Sequence, residues 1–124
     1  MGVALIVSSV TVAFLGFISL TLWKSIINGT NPRNGSFGIR TAATKKNDAA
    51  WEAGHQAASP LLRAFGYVDI ALALSLIVVG LLVGNLTPAL TVGILIGAYV
   101  IVVGGFIWSA AKADAAAKQV NTLI

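Results

Sequence analysis

Three apolar stretches, parted by one long polar segment and one short turn, organise the chain. From about Val3 to Trp23 the only polar side chains are Ser and Thr, whose hydroxyls a helix satisfies by bonding back to its own carbonyls. About 20 residues rising 1.5 Å each cross the ~30 Å of a hydrocarbon core, so this stretch predicts a first membrane span. No basic residue precedes it and no small-x-small site follows it, which reads as a retained anchor rather than a cleaved signal. A second span is predicted over 62–83, uncharged from Ile70 onward but with Asp69 near its start, and a third over 89–108. Gly84 to Pro88 is a short turn between them.

The polar loop, 24–61, has its own order. Asn28 to Ser36 is turn chemistry, rich in Asn, Gly and Pro. Phe37 to Thr41 reads as extended. A short interfacial helix follows, capped by Thr44 or Asn47, with Asp48 in its first turn, where the helix dipole favours an acid. It runs through Trp51 and His55 to about Ser59, and Pro60 ends it or opens the next helix. The tail, 109–124, is alanine-rich, with Asp114 and Lys118 at i, i+4 spacing. It continues the third helix into water. The expected fold is an all-α membrane protein in a single domain, 1–124: three transmembrane helices plus the short interfacial helix.

Composition agrees. Hydrophobic residues make up 57% of the 124 and charged residues 10%, with a mean hydropathy of +0.90. A soluble chain this short could not bury so much apolar surface. There is no cysteine, which removes disulfides, thiolate metal sites and a cysteine nucleophile. Six of the eight basic residues lie from Lys24 to Arg63, and the other two, Lys112 and Lys118, are in the tail. Positive charge collects on the cytoplasmic side of a membrane. Loop and C-terminus are therefore expected inside and the N-terminus outside, with anionic lipid head groups as the natural partners of the basic residues. No nucleic-acid partner is expected.

Small residues recur on one face of each span: Ser9, Gly16 and Ser19 in the first, Asp69, Ala73, Gly80 and Gly84 in the second, Gly93, Gly97 and Gly104 in the third. Gly80/Gly84 and Gly93/Gly97 are GxxxG pairs, which let helix backbones approach closely, either within the chain or in a homo-oligomer or larger membrane complex. Asp69 is the costliest residue of the spans. It points to a cation partner, with Arg40 expected first and Arg63 or His55 after it, or else to a hydrated position at the interface. Arg40, between Gly38 and Thr41, could clamp an anion bidentately, with Lys45 and Lys46 adding to a basic patch. Trp51 and His55 share a helical face. Glu52-x-x-His55 has di-iron spacing, but only one copy is present and there is no second histidine. No metal or cofactor is expected, and His55 lacks a nucleophile to serve as a catalytic base.

Gly38-Ile39-Arg40-Thr41, then Thr44, Trp51 and His55, with Gly66 closing the stretch, resembles the SdpI-like family of small bacterial membrane proteins. Members usually continue the first motif with Pro and carry Ser before the Trp and Arg after the His. Ala42, Asn47 and Gln56 stand there in this chain. The chain resembles the shared three-span part of that family. The resemblance implies a non-enzymatic protein of the bacterial plasma membrane, acting in immunity to an exported peptide toxin or in membrane signalling. Its candidate lipid-, ligand- or partner-binding residues are Phe37, Gly38, Arg40, Thr41, Trp51, His55 and Asp69. Two other functions stay open from the residues themselves: an accessory subunit docking through the glycine faces, and a proton-coupled or enzymatic site at Asp69, Arg40 and His55.

Overall fold

A computed structural model of the chain describes residues 2–123. It contains three long helices and, among the described residues, no strand: α1 (Gly2–Ile27), α2 (Asp48–Leu82) and α3 (Pro88–Leu123). Each is long and apolar enough to cross a membrane. Several hydroxyls of the spans bond back to carbonyls of their own helix, as suits a hydrocarbon surround. Thr21 donates to the Phe17 carbonyl at 2.8 Å, Ser75 to Ala71 at 2.9 Å and Ser109 to Gly105 at 2.8 Å. Large apolar side chains such as Phe14, Phe17, Leu74, Val78, Ile96 and Val100 face outward, which a lipid-facing surface tolerates.

The separate interfacial helix is not present. Asn47 caps α2, its Oδ1 accepting from the Ala50 N–H at 2.8 Å, and the helix then runs unbroken through Pro60. Proline lacks an N–H and deprives the carbonyl four residues back, that of Gln56, of its helical donor. Both residues lie on the exposed face, where that carbonyl can be solvated, so the helix passes instead of stopping. At the other turn the Thr87 hydroxyl accepts from the Leu90 N–H at 3.1 Å, and Pro88 takes the first helical position, where no N–H is needed.

α2 is the central helix. It packs along both α1 and α3, which scarcely touch each other. One core cluster, built on Leu5, Val12, Ala73, Leu76, Ala98 and Val102, fills the half of the bundle away from the loop. The α1–α2 seam is made by small residues. A methyl group added to Gly16 would lie 2.9 Å from the Asp69 Cβ and 3.1 Å from the Gly66 carbonyl oxygen. Gly80 faces Gly2 and Ile6 of α1. Against α3 the close approaches fall at Gly105, beneath the Phe65 ring, and at Gly54, beneath the Ala113 carbonyl. A methyl group added to Gly84, Gly93, Gly97 or Gly104 would meet no other part of the bundle within 4 Å. Of the two uses open to the glycine face of the third span, packing within the chain is therefore not the one the bundle adopts. That face opens outward beside an apolar groove lined by Val92, Ile96, Val100 and Tyr99, and Thr91, Ala98, Val102 and Gly105 turn inward in its place.

Candidate functional site

Two aromatic contacts locate the loop end of the spans. Trp23 meets Tyr67 edge-on, ring centroids 6.3 Å apart, and Phe65 meets Trp108 at 5.9 Å. Because Phe65 and Tyr67 are two residues apart on α2, Trp23, Tyr67 and Trp108 form one layer, like an aromatic belt. Lys24 and Arg63 lie over the Trp23 ring, 5.6 and 5.3 Å from its centroid. Beyond this layer the first turns of α2 and the last turns of α3 run on together, and the loop folds against them as a cap.

The cap is built from short polar side chains. Asn34 Oδ1 accepts from the Ser36 and Phe37 N–H groups at 2.9 and 2.7 Å, and the Asn31 amide donates to the Phe37 carbonyl at 3.2 Å. This turn drives Phe37 and Ile39 onto a second cluster formed by Leu22, Ile26, Ala58, Leu62 and Ala113. Thr44 is fully buried. Its hydroxyl donates to the Ile39 carbonyl at 2.7 Å and accepts from the Thr41 N–H at 3.0 Å, while the Thr41 hydroxyl accepts from the Thr44 N–H at 3.2 Å. Asn121, near the end of α3, closes the far side. Its amide donates to the Ala43 carbonyl at 3.1 Å, and its Oδ1 accepts from the Asn47 amide at 3.1 Å.

Gly38, Trp51 and His55 form the centre of the cap. Gly38 has φ +133°, and a Cβ there would fall 2.7 Å from the Trp51 ring and 2.8 Å from His55 Nε2. Both conditions select glycine. The Trp51 and His55 rings stack at 4.2 Å, and the indole N–H donates to the Asn31 carbonyl at 3.0 Å. His55 Nε2 accepts from the Ile39 N–H at 2.9 Å, and Nδ1 lies 2.7 Å from the Trp51 carbonyl. A backbone N–H can only donate, so Nε2 is bare and Nδ1 carries the proton. Burial lowers the His55 proton affinity below its ordinary value, partly opposed by the bond to the Trp51 carbonyl. The ring is a neutral latch between α2 and the loop.

Beside the latch opens a cleft of about 520 Å³ between the end of α1, residues 29–33 and the first turns of α2. Asn31, Arg33, Asp48, Glu52, His55 and Gln56 give it polar walls. Arg33 Nε pairs with Asp48 at 3.0 Å across its rim, both groups being largely exposed, so the pair contributes little stability. At the opposite side of the cap Lys118 pairs with Asp114 at 2.8 Å. That contact and the Thr41 hydroxyl hold the Asp114 carboxyl below its ordinary value.

The expected site residues thus divide. Phe37, Gly38, Thr41, Trp51 and His55 come together in the cap. Arg40 is exposed, and among the described residues it forms no ion pair. Asp69 stands 14 residues beyond His55 on the same helix, roughly 21 Å at 1.5 Å per residue, with no side chain of the loop around it. The expected Arg40–Asp69 pair is therefore absent, and Arg63 and His55 are engaged with Trp23, Trp51 and Ile39 instead. Asp69 is not at the hydrated interface either, being 1% exposed among all three helices. Asn31, Asn34, Thr44 and Asn121 lie outside the expected binding residues, yet they carry much of the cap's hydrogen bonding. The Asn-Gly and Asn-Pro spacing in 28–36 signals the turn. Nothing local signals Asn121, which acts across 74 residues.

These features define a class, the multi-pass helical membrane protein with a folded polar cap at one end. A model of the SdpI/YfhL protein family matches residues 30–111, well over half of the chain, and the chain belongs to that family. The match takes in the cap, all of α2 and most of α3. α1 precedes it. None of the curated proteins and none of the solved structures compared matches the chain.

Proposed function

We propose that this is a membrane immunity or signalling protein of the SdpI kind, without catalytic activity, that recognises a peptide or another partner through the cleft beside Trp51 and His55. The cap is cytoplasmic in this reading, with C-terminus inside, N-terminus outside and anionic lipids around its basic rim, in a bacterial plasma membrane. The observation that carries the proposal is the cleft. Its loop and α2 walls lie within the family-matched segment, with the end of α1 completing it, and they combine an aromatic floor, an ion pair and the free carboxylate and amide of Glu52 and Gln56. Hydrolysis or group transfer would need a nucleophile beside a base, whereas His55 has both ring nitrogens committed to the backbone.

The test is tolerance to an exported, membrane-active peptide toxin. Cells expressing the chain are expected to survive a higher dose than cells with an empty vector, and Glu52→Lys, which reverses charge on the cleft wall without touching the core, is expected to remove most of that protection. Equal survival of expressing and control cells, with the chain present in the membrane fraction, counts against immunity.

One observation favours a second reading, an accessory subunit. The glycine face of α3 has nothing packed on it and borders an apolar groove of about 640 Å³, a fit for a partner's transmembrane helix. Purification in mild detergent separates the two readings: a stoichiometric complex that is lost on Gly97→Leu supports the subunit.

A further inference from the structure

The cleft makes no use of the centre of the bundle, where the single acid of the spans is buried. Asp69 is 1% exposed, and its Oδ1 has no hydrogen-bond partner. Gly16 of α1 sits directly on its Cβ. The crevice around it is lined by Ser19 from α1, Phe65 from α2, and Val102, Gly105, Phe106 and Ser109 from α3, and holds no space for a water-sized sphere. None of these neighbours is titratable or charged.

The two hydroxyls in the crevice are already committed as donors. Ser19 gives its hydrogen to the Leu62 carbonyl at 2.7 Å, and Ser109 gives its own to the Gly105 carbonyl at 2.8 Å. What remains to them is lone pairs. An ionised carboxylate there would meet only acceptors, in a low-dielectric interior where an unpaired charge is costly. A carboxylic acid instead has an O–H to offer to those lone pairs. Burial keeps the ammonium or guanidinium of any partner from reaching the group, and the crevice is too small for a hydrated cation.

We propose that Asp69 is a proton-binding site at the junction of the three helices. The group is neutral in the packed bundle, and losing its proton is coupled to the parting of the helices packed around it, since only such an opening admits a solvent for the carboxylate. The site is independent of the cleft and of whatever the cleft binds.

Infrared spectroscopy of the whole chain in lipid nanodiscs, with isotope-labelled aspartate, tests the assignment. At neutral pH the labelled protein is expected to show the carbonyl stretch of a protonated carboxyl, absent from Asp69→Asn. Asp48 and Asp114, both ion-paired and outside the spans, contribute only carboxylate bands. A wild-type spectrum without the acid band overturns the proposal, whether or not the variant folds. Thermal melting supplies the second readout. The wild-type melting temperature is expected to fall, relative to that of Asp69→Asn, as pH rises above the ordinary carboxyl range. Parallel curves overturn the coupling. Exchange of sodium for choline at fixed pH is expected to leave the melting temperature unchanged, and a sodium-dependent shift would assign the site to a metal cation instead.

Discussion

Gly38 meets two demands at once, a positive φ and a backbone lying against two stacked rings. Gly38→Ala should cost roughly 1–3 kcal/mol, read as loss of unfolding free energy in detergent. Gly29→Ala, also at positive φ but in open space, should cost less. Equal losses would mean that the ring contact is unimportant. His55 ties the same loop through an acceptor that protonation removes. Its folded-state affinity for protons is lowered, whereas the unfolded loop takes up a proton near the ordinary value of about 6.5. The stabilisation is therefore complete above that pH and is lost as pH falls below it, because the unfolded state then binds more protons. Trp51 fluorescence should report loosening of the cap on acidification, and His55→Gln should flatten that response. An identical profile in the variant would show that another group titrates. Much of this cap could be read from the sequence, because Gly38, Thr41, Trp51 and His55 stand out in a chain that is otherwise apolar. The Arg40–Asp69 pair misled for a plain reason. Asp69 is the costliest group to bury and Arg40 the cation of the loop motif, but the helical rise puts them far apart, and distance along a helix axis is invisible to a charge argument until the helix is known to be continuous.

At the scale of the helices, periodicity identified the spans and their small faces, and Ser9, Gly16 and Ser19 of α1 do turn inward. It could not choose between the two faces of α3, since both carry small residues at helical spacing and the outer one has the more regular glycine pattern. The choice is made by bulk on α2. Phe65 needs a partner without a side chain and finds it in Gly105, which rotates Gly93, Gly97 and Gly104 outward. Without water's hydrophobic drive between helices, close packing is what holds spans together. Gly16→Ala should therefore cost about 1–3 kcal/mol through overpacking against Asp69 and the Gly66 backbone. Gly97→Ala, in open space within a helix, should be neutral or stabilising by up to ~1 kcal/mol. Thermal melts of the two variants in the same detergent check the contrast, and a severe loss at Gly97 would show that its face is covered in solution. Pro60 misled in the opposite direction. A proline that ends a helix in a core is tolerated where the orphaned carbonyl can face a polar medium, and the sequence does not disclose which side of the helix that is.

For the molecule as a whole, the absence of native cysteine allows a direct test of orientation. Ala42→Cys on the exposed cap should react with a membrane-impermeant thiol reagent only after the inner membrane is opened, and Asn85→Cys, in the 84–87 turn, should react in intact spheroplasts. The reversed pattern would place the cap outside. The packing order has a consequence for assembly as well. α2 serves as the shared partner of two helices that hardly meet each other, so the bundle is two helix pairs built on one common member. Helices joined in this way need no covalent link between α2 and α3 to recognise each other. Residues 1–85 and 86–124, produced as separate polypeptides in one cell, should therefore find one another in the bilayer and copurify, held by the Phe65–Gly105 contact along the spans and by the asparagine clasp beyond them, and Gly105→Leu should abolish the reunion.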